Sequence, residues 1–312
     1  MKISRRQFVK AMAAMSAASM LAACGGNSGS GSSGGKKALT FQIWDVAQKE
    51  GMEAMCAAYT QQHPEVSIEV QVTSWNEYWT KLEAAATSNQ MPDIFWMHTN
   101  EILKYADNGM LADCSDIVEK DKFSEISLSN AMGSNGTLYA VPKDKDTVGL
   151  VYNKEMFDAA GVAYPDENWT WDDLVSASEK IYAATGKYGY MAYADDQLGY
   201  WNFVYQAGGY ILNEDKTKAG FTQPATEKAM KFYIGLQQND WCPDQTYFAE
   251  TAPGTAFFSE KGAMFLEGDW NILAELQNYP EMVGKWDVAV LPKCPDPESG
   301  DGRATISNGL CY

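Results

Sequence analysis

The sequence predicts an α/β fold in two lobes, each a sheet covered by helices, on three observations. Between Leu39 and Met97, apolar strand-like runs alternate with helical ones. At Gly136–Lys154, two strand-like stretches flank Lys143-Asp144-Lys145-Asp146, as one path leaving a first lobe and entering a second. A length of 312 residues suffices for two lobes, though also for one large α/β domain, and 46% hydrophobic with 12% aromatic residues excludes a disordered chain.

The elements follow in order. Ala38–Trp44 is rich in β-forming residues and reads as a first strand. Lys49–Gln61 is helical, with Met52, Met55, Cys56 and Tyr59 at three- and four-residue steps, and Pro64 stops it. Ser67–Val72 alternates, placing Ile68, Val70 and Val72 on one face of a second strand. Glu77–Ser88 is a second helix and Asp93–Met97 a short strand, so the connections are mostly parallel. Binding residues in such sheets gather beyond the carboxyl ends of the strands: Trp44-Asp45, Ser74-Trp75-Asn76 and His98-Thr99-Asn100.

In the second half, Thr170 is the expected N-cap of a helix to Ala184, with Asp173 closing a capping box and Gly186 ending it. Trp201–Ala207 and Thr226–Gln238 read as helices, and Phe257–Phe265 turns from helix end into strand.

The first residues read as an address. Lys2, Arg5, Arg6 and Lys10 form a positive start, followed by an apolar run, Ala11–Ala23, too short to span a bilayer. Leu21-Ala22-Ala23-Cys24 resembles a bacterial lipobox, in which Cys24 is lipidated, and Ser4-Arg5-Arg6-Gln7-Phe8-Val9-Lys10 resembles a twin-arginine signal. Export by the twin-arginine or the general secretory route is expected, with the protein lipid-anchored on the outer face of the cell membrane. Gly25–Gly35 is a flexible tether of Gly, Ser and Asn.

With 24 basic and 41 acidic residues, the net charge of −17 disfavours nucleic acid and anionic membrane surfaces as partners. Six cysteines without a CxxC, and only two histidines, point away from a metal cluster. No nucleophile elbow, HExxH or phosphate loop is present, so no cofactor and no enzyme activity is expected.

The phrases Pro92-Asp93-Ile94-Phe95-Trp96, Gly109-Met110-Leu111-Ala112-Asp113, Leu138-Tyr139-Ala140-Val141-Pro142 and Val151-Tyr152-Asn153-Lys154 come in this order. Trp169-Thr170-Trp171, Gly208-Gly209-Tyr210, Gly268-Asp269-Trp270 and Ala289-Val290-Leu291-Pro292 follow. Together they resemble the family 1, maltose-binding type of extracellular solute-binding proteins of bacterial ABC importers. The resemblance implies a two-lobe, type II periplasmic-binding-protein-like fold that closes on its ligand, monomeric, with ABC permease subunits as partners. It implies a signal peptide at 1–23, the lipidated cysteine and tether at 24–37, a first N-lobe segment at 38–143, the C-lobe at 144–287 and a return to the N-lobe at 288–312. Family members continue well beyond Gly309, so a C-terminally truncated chain is expected.

Trp270 matches the family's sugar-stacking tryptophan, and Asp146 and Asp196 match its cleft carboxylates. Trp44, Trp75 and Trp96 lie on the expected cleft loops or strand ends, and Asp45, Thr99 and Asn100 supply acid, hydroxyl and amide groups. A pyranose wants an aromatic plane against its C–H face and acceptors round its rim. At Thr99-Asn100 the maltose-type acid and arginine are missing, which makes maltose itself a poor fit. His98 is either a lip residue or a packing histidine. The expected ligand is a neutral mono- or oligosaccharide. The alternatives are a non-sugar solute (polyamine, peptide or metal) on the same fold and, far behind, a glycoside-active enzyme using paired carboxylates.

Overall fold

Strand β1 (Lys37–Ile43) is the centre of a three-stranded parallel sheet, between β2 (Val66–Val72) and β3 (Ile94–Phe95). The computed structural model describes residues 36–213 and 217–312; the expected signal peptide, the expected lipidation site Cys24 and the expected tether up to residue 35 lie outside them. Helix α1 (Lys49–Gln62) joins β1 to β2, and α2 (Trp75–Thr87) joins β2 to β3 across β1. Right-handed crossovers in opposite directions put the two helices on opposite faces of the sheet. Two separate cores record this: Met52 of α1 packs with Phe41, Ile43 and Val70, whereas Tyr78 and Leu82 of α2 pack with Met97 and Ile102. Of the apolar stripe expected on α1, only Met52 is buried, while Met55 and Tyr59 are 55% and 48% exposed. A helix laid over the edge of a narrow sheet buries one ridge, and Tyr59 instead stacks on His63, ring centres 4.3 Å apart.

The strand expected at Asp93–Met97 divides at Trp96. Its second part, β4 (Met97–His98), leaves the parallel sheet and pairs antiparallel with a strand from the end of the chain. The short helices α3 (Ile102–Asp107) and α4 (Glu125–Ser129) complete this half.

Strand β5 (Asp146–Asn153) opens the second sheet and runs into α5 (Lys154–Ala160), whose first turn is capped by the Asn153 side chain accepting from the Met156 N–H at 3.0 Å. Helix α6 (Trp171–Thr185) carries the expected Thr170–Asp173 capping box and ends at Gly186, whose φ of 66° suits glycine. Then come β6 (Tyr188–Tyr190), α7 (Trp201–Gln206), α8 (Pro224–Leu236), α9 (Gln245–Glu250) and α10 (Pro253–Phe258). Strand β7 (Gly262–Gly268) is buried along its whole length, parallel to β6 and antiparallel to β5. Helix α11 (Asp269–Asn278) follows it, and β8 (Trp286–Ala289) pairs with the other edge of β5.

The expected return to the first lobe at residue 288 is corrected here. β8 belongs to the second sheet, Lys293 bridges to Thr170, and Cys294 sits in the second core. The chain comes back only through β9 (Ser307–Asn308), paired with the start of β5, and β10 (Leu310–Cys311), paired with β4. The Lys143 N–H donates to the Leu310 carbonyl at 2.7 Å. Residues 143–147 and 307–311 therefore run side by side between the two sheets.

Candidate ligand-binding cleft

A cavity of about 680 Å³ opens where these two crossings pass between the sheets. The first lobe contributes Trp44, Asp45 and Gln48 after β1, Trp75 and Trp79 from the first turns of α2, and His98, Asn100 and Glu101 after β4. The crossings contribute Asp146 and Leu310. The second lobe contributes Asp195 to Leu198, and Trp270, Asn271 and Ala274 from α11. A more open depression of about 750 Å³ between α1 and β2 is lined by charged, small polar and aliphatic side chains and by no aromatic one.

Trp44 organises the aromatic wall. Its ring centre lies 5.1 Å from Trp75, 5.0 Å from Tyr78, 5.7 Å from Trp79 and 5.2 Å from Trp96, mostly edge to face. Each such pair contributes about 0.5–1.5 kcal/mol beyond area burial, so the indoles are held in fixed orientations. Trp75 remains 41% exposed and offers its surface to the cavity.

Seven of the expected residues line this cavity: Trp44, Asp45, Trp75, Asn100, Asp146, Asp196 and Trp270. Two do not. Trp96 is fully buried in the core with Phe41, Ile43, Met52 and Leu310. Its N–H donates to the Gln42 carbonyl, its carbonyl accepts the Tyr78 hydroxyl at 2.7 Å, and the Lys143 ammonium stands 4.6 Å from its ring centre. At Trp96 the chain leaves the parallel sheet for the pairing of β4 with the returning strand, and its side chain packs into the core on the α1 face of the sheet. Thr99 is occupied in the strand junction, its N–H donating to the Gly309 carbonyl.

His98 is both packing and lining. It is 5% exposed, lies 5.5 Å from Trp75 edge to face, and borders the cavity. Burial holds its pKa down at about 4, against an opposing pull from Asp144. Its Nδ1 accepts the Asn100 N–H at 3.1 Å, so the neutral ring carries its proton on Nε2 and can donate it.

The carboxylates differ in their surroundings. Asp45 is engaged locally, accepting from the Ala47 N–H and the Gln48 amide, both at 2.8 Å. Asp195 accepts the Leu198 N–H at 2.7 Å, capping a turn that is broken at Gly199. Buried Asn202 fixes this turn, donating to the Gln197 and Gly199 carbonyls while its Oδ1 accepts the Ile306 N–H at 2.9 Å. Asp196 is pushed up first by burial and then by Asp195. Asp146 is raised to about 7, by burial first, then by Asp144 and Asp269, with Lys143 opposing. Beneath the wall, Glu267 is 5% exposed and also raised to about 7, chiefly by burial. Its Oε1 accepts the Asn271 amide at 2.9 Å, so the Asn271 amide nitrogen is held, and among the described residues its carbonyl oxygen accepts no hydrogen bond.

Sequence reasoning missed Trp79, Glu101, Asp195 and Asn271. Trp79 stands four residues after Trp75, one turn along the same helix face, a signal that was legible. Asp195 and Asn271 adjoin residues already singled out. Glu101 carried no signal, because its position depends on where β4 ends. Among the described residues, no group of three or more His, Cys, Asp and Glu side chains could hold a metal ion.

Residues 44–309 match the family model for bacterial extracellular solute-binding protein. The chain is 26% identical over 267 residues to the lactose-binding protein of Rhizobium radiobacter, covering 82% of this chain and 61% of that protein. It is 26% identical over 304 residues to an arabinooligosaccharide-binding protein of Bacillus subtilis, covering 92% of this chain and 67% of that one. The chain thus spans roughly three-fifths to two-thirds of the length of these relatives. Among solved structures, an ABC substrate-binding protein from Listeria monocytogenes in complex with cycloalternan superposes with a TM-score of 0.75 at 25% identity, over 89% of this chain and 71% of that one. The architecture is the two-lobe α/β fold of type II periplasmic binding proteins, and the group consists of binding proteins, not enzymes. The chain belongs to the bacterial extracellular solute-binding proteins.

Proposed function

We propose that this protein is the substrate-binding component of an ABC importer and captures a mono- or oligosaccharide in the cleft between its lobes. The observation that carries this reading is the cavity itself, where indoles from both lobes face acceptors set round a rim. Trp75 and Trp270 are the stacking platforms, and Trp44 and Trp79 brace the first of them. Asp45, Asn100, Asp146, Asp196 and the Asn271 carbonyl take hydroxyl protons, and His98 Nε2 donates one. The lining has no lysine or arginine, which disfavours a phosphorylated sugar, since that would want bidentate arginine or a helix N-terminus.

The lobes, 38–143 and the second-sheet region, close by bending at the paired crossings 143–147 and 307–311. The closed surface is what a permease recognises, and ATP is hydrolysed on other subunits. The chain acts as a monomer, exported by the twin-arginine or general secretory route and held on the outer face of the membrane by lipid on Cys24. One acyl chain binds only marginally, so at least two are expected there.

A thermal-shift screen over a carbohydrate panel tests the reading, because a ligand that binds only the folded state must stabilise it. Stabilisation by one or a few related saccharides is the expected result. Stabilisation by a polyamine or peptide and by no carbohydrate would move the protein to a different solute on the same fold.

A further inference from the structure

The sign of the charge in the cleft is one-sided. Five carboxylates line it (Asp45, Glu101, Asp146, Asp195 and Asp196), and the lining holds no lysine or arginine. The lysines that act on these acids stand behind the lining and are already paired: Lys143, beside Asp146, pairs with Asp144 and lies over Trp96, and Lys104, beside Glu101, pairs with Glu83, while Lys145, next to Asp146 in the chain, is exposed. His98, the remaining basic group of the lining, is held neutral.

Neutral hydroxyls need acceptors, but they do not need this much uncompensated negative charge. Asp45, Asp195 and Asp196 each take protein hydrogen bonds, which meets part of their demand. Asp146 is different. It is half-buried, faces Asp144, Asp269 and Lys143, and among the described residues it accepts no hydrogen bond. Asp269 turns one oxygen to the Thr147 N–H, which donates to it at 3.1 Å. The carboxyls that face the cavity with raised pKa (Asp146, Asp196 and Glu101) all owe the shift first to burial, which a cation in the cavity would offset. Indole faces attract an ammonium group through the ring quadrupole while still accepting a sugar's C–H face.

We propose that the cleft prefers a saccharide bearing a protonated amine, an amino sugar, over the neutral sugar of the same shape. This rests on the carbohydrate reading above and replaces the neutral ligand expected from the sequence. The ammonium docks against Asp146, where the crossings meet the cavity, so the charged group sits between the lobes as they close. Binding lowers the Asp146 pKa and releases protons near pH 7.

The test is calorimetric titration at pH 7 and low salt with matched pairs: glucosamine and glucose, galactosamine and galactose, mannosamine and mannose, chitotriose and cellotriose. In the pairs that bind, the amine should bind at least tenfold more tightly, with the advantage shrinking in 0.5 M sodium chloride. Titration in two buffers of different ionisation enthalpy should register proton release. Asp146→Asn should erase most of the difference between members of a pair, and should it fail to fold, Glu101→Gln is read for the same loss. A neutral member binding as tightly as its amine contradicts this inference alone. Binding of spermidine with no binding of any saccharide, in these pairs or in the carbohydrate panel, contradicts the carbohydrate reading as well.

Discussion

The indole of Trp270 lies back over Gly268, so close that a β-carbon at Gly268 would stand 2.2 Å from the ring. Gly268 has φ −89°, which any residue can adopt, so glycine is needed there for space and not for backbone freedom. The strand that brings Trp270 to the cleft thereby sets the plane of its ring. Gly268→Ala should force the half-buried indole out of its place and weaken saccharide binding about as much as Trp270→Ala. That loss is about 1–3 kcal/mol, roughly ten- to hundredfold in affinity. Ligand titration together with tryptophan fluorescence checks this, and unchanged binding in Gly268→Ala would show that the ring position does not matter.

Trp75 and Trp96 should behave as opposites, although both touch Trp44. Trp96→Ala empties a fully buried site and should cost about 3–5 kcal/mol of folding stability, read from urea denaturation. Trp75→Ala should leave stability within about 1 kcal/mol, since its ring is exposed, and should reduce saccharide affinity instead.

The pH dependence of stability has two opposed contributions. Asp146 and Glu267 are raised to about 7 in the folded state, so between pH 4 and 7 the folded chain holds protons that the unfolded chain has lost. Their contribution therefore falls as pH rises through 7. His98, lowered to about 4, contributes stability above pH 6.5 that is lost as pH falls towards 4. Asp146→Asn and Glu267→Gln should each raise the melting temperature at pH 8 by more than at pH 5, with a gain on the order of 1 kcal/mol, about 2–4 °C. A larger gain at pH 5 would contradict the assignment.

Asn202 ties the acidic turn of the second lobe to the returning crossing. Asn202→Leu strands the Ile306 N–H and two carbonyls in a buried setting, at about 1–3 kcal/mol. Asn202→Asp keeps the acceptor for Ile306 but loses both donors, so it should free the turn and lower affinity with a smaller loss of stability. Urea denaturation and ligand titration of the pair separate the two effects.

The alternation of Ile68, Val70 and Val72, the Thr170–Asp173 box and the glycine stops made the local elements legible, because strand period, caps and helix ends are short-range properties. Trp44, Trp75 and Trp270 were legible as cleft residues because they sit at strand or helix ends that topology places at one rim. The burial of Trp96 was not legible. It depends on the split between β3 and β4, and that split exists only because Leu310 and Cys311 return to pair with β4. For the same reason the crossing back to the first lobe was placed too early: β8 reads as a strand locally, but nothing local says which sheet it joins. The difference between Asp45, partly engaged by its own turn, and Asp146, which accepts no hydrogen bond among the described residues, also appears only in three dimensions.

The proposed binding of carbohydrate against the indoles of the cleft is open to a direct measurement. It is tested most directly by calorimetric titration of the saccharide giving the largest thermal shift into the wild type, Trp75→Ala and Trp270→Ala. Saturable one-site binding by the wild type is expected, with a loss of about tenfold or more in each variant, about 1.4 kcal/mol, and both still cooperatively folded. Wild-type affinity retained in both variants would contradict it.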